Sequence, residues 1–247
     1  MQSQEDAIRL AQTLIAVGNK FGKTTIGFLT EMSQPLGYAI GNWLEVVECI
    51  DCMKGADVPD LMEVTYVLGG AMVMLGGKAP NLEKGMAICR DAIASGSAFK
   101  KFKELVSRQG GDVSYLEDPK RYPRPKYSTS IRSAAAGDIE SIDALELGFA
   151  AITLGAGRMK VDDTIDPKAG ILLSKKAGDS INAGDTLADL FADNETSLDE
   201  AKRRVARAFN VATEPSVQPP LIHAVIDEHG VHPWHGSSLA GVKLPKK

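Results

Sequence analysis

The sequence has 247 residues, 44% of them hydrophobic and 24% charged, which is typical of a globular protein with a substantial core. The formal net charge of −4 argues against nucleic acid or an acidic membrane as a partner. Apolar stretches are interrupted by Gly, Lys or Asp before they could span a bilayer, and the N-terminal residues lack the pattern of a signal peptide. The three cysteines cannot all pair, so we expect a reducing, cytoplasmic compartment.

Residues 1–110 predict a helix-rich region with one strand. Apolar residues recur at helical spacing over 2–18, and Gly18 is expected to end this helix. The β-branched run 24–30 predicts a buried strand of a parallel-type sheet, whose neighbours we expect mostly from a segment outside this sequence. A helix followed by a strand is the repeating element of α/β architecture. Four further helices are predicted, one ending near Gly55, one beginning at Pro59, one capped by Asn81 and one capped by Ser97.

The composition changes at 117–126, a segment rich in proline and charge that predicts an extended linker. Beyond it, short apolar segments alternate with Gly-Asp turns, which is typical of a small β-rich domain. Helices are predicted at 143–155, capped by Asp143, and at 197–209. The predicted organisation is a partial α/β domain at 1–116, a linker at 117–126, a small α+β domain at 127–214 and a loosely held tail at 215–247.

Three segments have distinctive sequences, namely Thr30-Glu-Met-Ser-Gln-Pro-Leu-Gly-Tyr-Ala-Ile-Gly-Asn42, Leu154-Gly-Ala-Gly-Arg158 with Asp163-Thr-Ile-Asp-Pro167 and Gly170, and Gly178-Asp-x-x-x-x-Gly184-Asp-x-Leu187. They resemble the pyrimidine-nucleoside (thymidine) phosphorylase family, and the resemblance extends from Met1 to about Pro220. It implies the helix-rich latter part of a mixed α/β domain, followed by a small, β-rich, hammerhead-like α+β domain. The third segment also resembles biotinyl and lipoyl carrier domains, but Lys175 and Lys176 lack the sequence context of a modified lysine.

The resemblance implies a dimeric pentosyltransferase of pyrimidine salvage, which uses phosphate as co-substrate to split thymidine or uridine. The family's phosphate loop, of the Lys-x-Ser-Thr-Gly-Gly-x-Gly type, does not occur in these 247 residues, nor do the Arg, Ser and Lys of its base pocket. Gly76-Gly77-Lys78 lacks the preceding strand and the following Ser or Thr of a phosphate cradle. We therefore assign no catalytic or substrate-binding residue, and we expect the chain to be inactive unless an N-terminal segment or a partner completes it. A non-catalytic interaction or scaffold module and a fragment of a nucleotide (AMP-type) phosphorylase remain alternatives.

One functional site is implied in part by the same resemblance. The carbonyl groups of Leu36 and Ala39 and the carboxylate of Glu48 would form half of a site for a potassium ion. A hard cation prefers oxygen ligands, which these groups supply. The competing interpretation is that Glu45 and Glu48, three residues apart on a helix, are solvated surface carboxylates.

Two further motifs have a structural and a functional interpretation. Cys49-x-x-Cys52 has the spacing of a redox or zinc pair, but it lies in an amphipathic helix, where buried and inert thiols are expected. His229, His232 and His235 could gather a metal ion, although Gly230 and Pro233 prevent the helix that would align them.

Overall fold

A computed structural model describes residues 3–212 and 217–236 of the chain. The contacts divide the chain into two compact units, and each unit joins segments that are distant in sequence. The first unit takes its described residues from 3–31, 60–92 and 219–236. The second takes them from 32–59, 93–212 and 217–218. This division does not follow the chain order of the domains predicted from composition.

Helices dominate up to residue 121, and strands are more frequent after it. Within the described residues the α-helices are α1 Gln4–Lys20, α2 Asn42–Met53, α3 Pro59–Leu75, α4 Leu82–Ala94, α5 Ser97–Arg108, α6 Ser114–Glu117, α7 Ala144–Leu154 and α8 Glu195–Ala208, with a 3-10 helix at Pro119–Arg121. The strands are β1 Gly27–Thr30, β2 Ala39–Ile40, β3 Tyr127–Arg132, β4 Gly137–Ile142, β5 Gly170–Leu173, β6 Ser180–Ile181, β7 Thr186–Ala192, β8 Phe209–Ala212, β9 Ile222–Asp227 and β10 Gly230–Pro233. The predicted class, mixed α/β followed by a small α+β domain, is confirmed.

The first unit contains a three-stranded sheet in the order β1-β9-β10 and a core built on α3 and α4. These two helices approach each other closely because both carry glycine at the contact. A Cβ atom on Gly85 would lie 2.2 Å from the carbonyl oxygen of Gly70, and this distance is too short for any residue other than glycine. The buried core residues of this unit are Val67, Ala71, Met74, Ala79, Leu82, Met86 and Ile222.

The second unit contains two antiparallel sheets, in the orders β2-β5-β7-β3 and β6-β4-β8, with α7 and α8 packed on them. Helix α7 begins where Asp143 accepts hydrogen bonds from the backbone N–H groups of Leu145 and Glu146. It ends at Gly155, whose φ of 103° lies in the left-handed region that glycine adopts readily. Each helix buries one side in the core. The buried residues on these sides include Leu147, Ala150 and Leu154 of α7 and Leu198, Ala201 and Val205 of α8.

Two predicted helix caps are confirmed and two predicted boundaries are wrong. Asn81 accepts a hydrogen bond from Lys84 N, and Asp143 caps α7 as described. Helix α1 continues past Gly18 to Lys20, because one glycine near a helix end costs only about 1 kcal/mol and does not force a stop. Helix α5 has Gly96 as its N-cap, with φ 73° and no side-chain cap, and Ser97 is its first helical residue.

The strand predicted at 24–30 exists as β1, but it pairs antiparallel with β9 rather than in a parallel arrangement. Its partner comes from the segment that composition assigns to a loosely held tail. That prediction is wrong for β9, where Ile222, Val225 and Ile226 are buried. Prolines and histidines on either side of this short apolar run concealed it. Residues 213–216 and 237–247 of the predicted tail lie outside the described residues.

The predicted linker at 117–126 is not extended throughout. It contains the end of α6 and the 3-10 helix, and its Tyr122 ring stacks on Trp43 of α2 with centroids 4.1 Å apart. Aromatic packing therefore attaches this proline-rich segment to the second unit.

Candidate functional site

The segment 35–39 precedes α2, and Glu48 of α2 holds it by a hydrogen bond to its backbone. Glu48 Oε1 accepts from the backbone N–H of Tyr38 at 2.8 Å. Gly37 has φ 70°, and a Cβ atom there would lie 2.4 Å from Glu48 Oε2. Glycine is therefore required at position 37 for two reasons: it adopts this backbone conformation readily, and it leaves room for the Glu48 carboxylate.

Lys176, from the turn between β5 and β6, binds the same segment through two carbonyl oxygens. Its ammonium group donates to Gly37 O at 2.8 Å and also to Pro35 O. The nitrogen lies 5.6 Å from the centroid of the Tyr38 ring. Segment 35–39 is thus bound by an anionic and a cationic side chain, of which the second is more than 130 residues away in sequence.

The structure brings together all three segments on which the family resemblance depends. Strand β2 pairs with β5, placing Ala39 opposite Leu172 and Ile40 opposite Ile171. The backbones also touch at two glycines, since a Cβ atom on Gly41 would lie 2.5 Å from Ala169 O. Lys176 belongs to the turn that leads into the third segment. The motifs are therefore parts of one packed arrangement around residues 35–41.

Of the three residues predicted to bind potassium, Glu48 lies directly against segment 35–39. Leu36 is exposed, and Ala39 is buried in β2. Two carbonyl oxygens and a carboxylate are the kind of ligands that a hard cation prefers. However, the Lys176 ammonium group already donates to the carbonyl oxygens of Pro35 and Gly37, which lie on both sides of Leu36. Within residues 3–212 and 217–236, no group of three or more His, Cys, Asp or Glu side chains could hold a metal ion.

Glu45 is exposed and Glu48 is half-buried, and the carboxylate of each also accepts a hydrogen bond from the backbone. Glu45 Oε1 accepts from Gly41 N at 3.0 Å, at the beginning of α2. In a helix whose N-cap is glycine, this bond satisfies a backbone donor that would otherwise lack a partner.

The cysteine pair in α2 has the properties of unreactive thiols. Cys52 is buried, Cys49 is exposed, and neither forms a disulfide. Burial, with a smaller contribution from the Glu48 charge, raises the pKa of Cys52 to about 11. The pKa of Cys49 is raised by the same two effects. Because the thiolate is the nucleophile and the metal ligand, raised pKa values disfavour both roles.

Three histidines near the C-terminal end of the described chain interact with carboxylates, and His229 Nε2 lies 3.6 Å from Glu228 Oε1. His232 Nε2 lies 3.0 Å from Asp227 Oδ1, which also accepts hydrogen bonds from the backbone of His229 and Gly230. His223 Nε2 lies 2.9 Å from Glu31 Oε2. Asp227 thereby organises the turn between β9 and β10. Two histidines of the His229-x-x-His232-x-x-His235 motif, His229 and His232, therefore take part in contacts that stabilise this hairpin.

Comparison with known proteins finds two family models and several curated relatives that match the chain. A family model described as "Glycosyl transferase family, a/b domain" matches residues 1–99, and one described as "Pyrimidine nucleoside phosphorylase C-terminal domain" matches residues 139–212. The pyrimidine-nucleoside phosphorylase of Bacillus subtilis (strain 168) is 41% identical over 228 residues, which is 92% of this chain and 52% of that protein. Relatives of the same name from Staphylococcus aureus strains USA300 and N315 are 37% identical with the same coverage.

The two family models match the chain in order, an a/b domain of the glycosyl transferase family followed by the C-terminal domain of pyrimidine nucleoside phosphorylases. The chain therefore belongs to the pyrimidine-nucleoside phosphorylase family. It spans about half the length of the curated relatives it matches. Among the described residues, no helix is both long enough and apolar enough to cross a membrane.

Lys176 is the residue that sequence reasoning did not connect with the site. The sequence draws attention to it only as a possible carrier lysine. Its two hydrogen bonds join positions 139 and 141 residues apart, and no local pattern predicts such contacts. The identity of Gly37 is more informative, because a glycine between leucine and tyrosine indicates an unusual backbone conformation.

Proposed function

We propose that this chain supplies the C-terminal part of a pyrimidine-nucleoside phosphorylase. The reaction is the phosphate-dependent cleavage of thymidine or uridine. A phosphate oxygen forms a bond to the anomeric carbon, the bond from that carbon to the base nitrogen breaks, and its electron pair leaves with the base. The products are a pentose 1-phosphate and the free base, which takes up a proton. The names of the relatives support this reaction.

The observation that carries the proposal is the double attachment of segment 35–39 to Glu48 and Lys176. Phosphorolysis requires few proton transfers and depends mainly on the correct placement of charged substrates. A segment whose backbone is hydrogen-bonded to two charged side chains cannot relax easily when substrates bind. We infer that residues 35–41 form one preorganised wall of the complete active site.

We propose that the cations and donors that contact phosphate and base come from polypeptide other than these 247 residues. The support is in the sequence, which has no Lys-x-Ser-Thr-Gly-Gly-x-Gly segment. The chain alone should therefore release no base from thymidine or uridine. An upstream segment of the same protein, or of a homodimer partner that carries such a segment, is a compatible source of the missing groups, whereas a second copy of residues 1–247 alone would lack them too.

We also propose that Leu36, Ala39 and Glu48 contribute oxygen ligands to a potassium site in the complete enzyme. The carboxylate already lies against segment 35–39, which supports the assignment. In residues 1–247 alone, potassium should raise the melting temperature no more than sodium does, since a weak site adds little stability by mass action. In a version extended by the phosphate-loop segment, potassium should stabilise specifically.

Glu48→Gln should remove this potassium effect, because the amide keeps the size and loses the charge that a hard cation prefers. Glu63→Gln, on the exposed side of α3, is the matched control and should retain it. Thermal melts in equal concentrations of potassium and sodium chloride provide the measurement. An extended version without any potassium-specific stabilisation would rule the site out.

The substrate class is tested by supplying the extended version with phosphate and with thymidine, uridine or adenosine 5′-monophosphate in turn. Release of thymine and uracil, but not of adenine, is the expected result. Release of adenine alone would support the nucleotide phosphorylase alternative. Release of no base from any substrate would support the scaffold alternative and contradict the proposal.

A further inference from the structure

A cavity of about 510 Å³ lies in the second unit, beside the region that connects α6 to β3. Its volume is within the range of cavities that hold small molecules. Apolar and aromatic side chains form most of its wall, among them Trp43, Tyr122 and Phe191, together with prolines of the 119–125 segment. Cavities with this lining bind flat, partly apolar molecules well.

The aromatic part of the wall is fixed in position. Trp43 stacks on Tyr122 with an interplanar angle of 20°, and both rings meet Tyr115 edge to face. The backbone N–H of Trp43 donates to Pro167 O at 3.0 Å. Proline also restricts the backbone on the other side of the cavity. A ligand would therefore find a preformed wall and would not have to order it.

The charge of the cavity is opposite in sign to that of the chain. Lys120, Arg124 and Lys168 line it, and none of its lining residues is acidic, whereas the whole chain has a formal net charge of −4. A hydrogen bond from Lys168 to Asp193 raises the pKa of the lysine above its ordinary value. Within the described part of the chain, Lys120 and Arg124 form no side-chain ion pair. Two uncompensated cations beside an aromatic wall favour a ligand that combines a ring with an anion.

We propose that this cavity binds a ring-bearing monophosphate, the chemistry of a nucleoside monophosphate. The ring lies against the wall formed by Trp43 and Phe191, and the phosphate is bound by Arg124 and Lys120. The site is separate from segment 35–39, and it does not depend on the phosphorylase assignment.

The test uses purified protein and three probes in isothermal titration calorimetry: uridine 5′-monophosphate, uridine and inorganic phosphate. Uridine monophosphate should bind with a Kd of about 0.1–1 mM, and both simpler probes should bind at least about fivefold more weakly, because each lacks one of the two interactions. Higher salt should weaken the binding of the nucleotide. Equal affinity for the nucleotide and for either simpler probe, or no saturable binding of the nucleotide, would overturn the proposal.

The position of the site is tested with variants. Arg124→Met should raise the Kd at least about fivefold, while Arg203→Met, an exposed arginine on α8, should leave it unchanged. In NMR spectra the indole N–H of Trp43 should shift on titration and that of Trp234, the other tryptophan, should not. Trp43→Phe assigns the signal and preserves the aromatic wall. Nucleotide binding that Arg124→Met does not change, or a shift only at Trp234, would show that the ligand binds elsewhere.

Discussion

Lys176 provides the hydrogen bonds that connect the small domain to segment 35–39, and its removal should destabilise the protein. Lys176→Met leaves the carbonyl groups of Pro35 and Gly37 without their charged donor. Hydrogen bonds from charged groups contribute about 1.5–3 kcal/mol each when well formed, and this lysine is only half-buried. We expect a loss of about 2 kcal/mol in the free energy of unfolding, measured by urea denaturation.

Lys175→Met is the matched control for this variant, because the neighbouring lysine is similarly half-buried and, among the described contacts, donates no hydrogen bond to segment 35–39. It should change the free energy of unfolding by less than about 0.5 kcal/mol. Lys176→Arg should retain part of the stability, since the guanidinium group can also donate to carbonyl oxygens. Equal effects of the two methionine variants would contradict the role assigned to Lys176.

At the scale of residues, local signals predicted the motifs but not their contacts. The helix caps at Asn81 and Asp143 followed from residue type, because a cap bonds to backbone only two or three residues away. The Lys176 bonds to Pro35 and Gly37 depend on the whole fold, so one sequence alone could not reveal them. Both interactions of Glu45 and Glu48 with backbone were missed because helical spacing does not show where the preceding loop runs.

Among the elements, α7 offers the clearest test of a cap. Asp143→Ala removes the acceptor for two backbone N–H groups at the beginning of the helix. Such caps contribute about 0.5–2 kcal/mol, and we expect a loss of about 1 kcal/mol in the free energy of unfolding. Asp162→Ala, an exposed aspartate in a loop, should change stability by less than about 0.5 kcal/mol. A loss at Asp162 as large as that at Asp143 would argue against the cap.

Strand β1 should be less well protected from hydrogen exchange than β7. Within the described residues β1 is an edge strand with β9 as its neighbour, and all four of its residues are only half-buried. Strand β7 lies between β5 and β3, and four of its residues are buried. Amides of 27–30 should therefore exchange at least about tenfold faster than those of 187–191. Exchange at equal rates would indicate that further polypeptide covers the open edge of β1.

Long periodic helices were the most predictable elements, and short strands were the least. The helices of residues 1–110 followed from apolar spacing together with residues typical of helix ends. Strands β2, β6 and β8 have only two to four residues, too few for an alternating pattern to stand out. Strand β9 is longer, but the prolines before it and the histidines around it suggested a loose tail.

For the whole molecule, the most informative feature is that the two compact units do not follow chain order. The first unit combines its N-terminal strand β1 with β9, almost 200 residues later in the sequence. A proline-rich segment at 117–126 therefore suggested a domain boundary where the contacts place none. Composition can predict where the chain is irregular, but only the packing of distant segments determines which parts form one unit.

The exposed face of α1 is consistent with a chain that forms part of a larger assembly. Leu10, Leu14, Val17 and Phe21 recur at spacings of four, three and four residues, and each is at least 47% exposed. Apolar residues at this spacing form one stripe on a helix. Together with the coverage of 52% of the relatives, this stripe supports the proposal that further polypeptide completes the enzyme.

The central claim is that this chain is one necessary part of a phosphorylase active site. The most direct measurement is phosphate-dependent release of thymine from thymidine by residues 1–247, alone and joined to the part of the Bacillus subtilis relative that the match does not cover. We predict no release by the chain alone and turnover at a rate typical of enzymes, at least about 1 per second, by the joined protein. Phosphorolysis by residues 1–247 alone, or a folded joined protein that releases no base, would contradict the account.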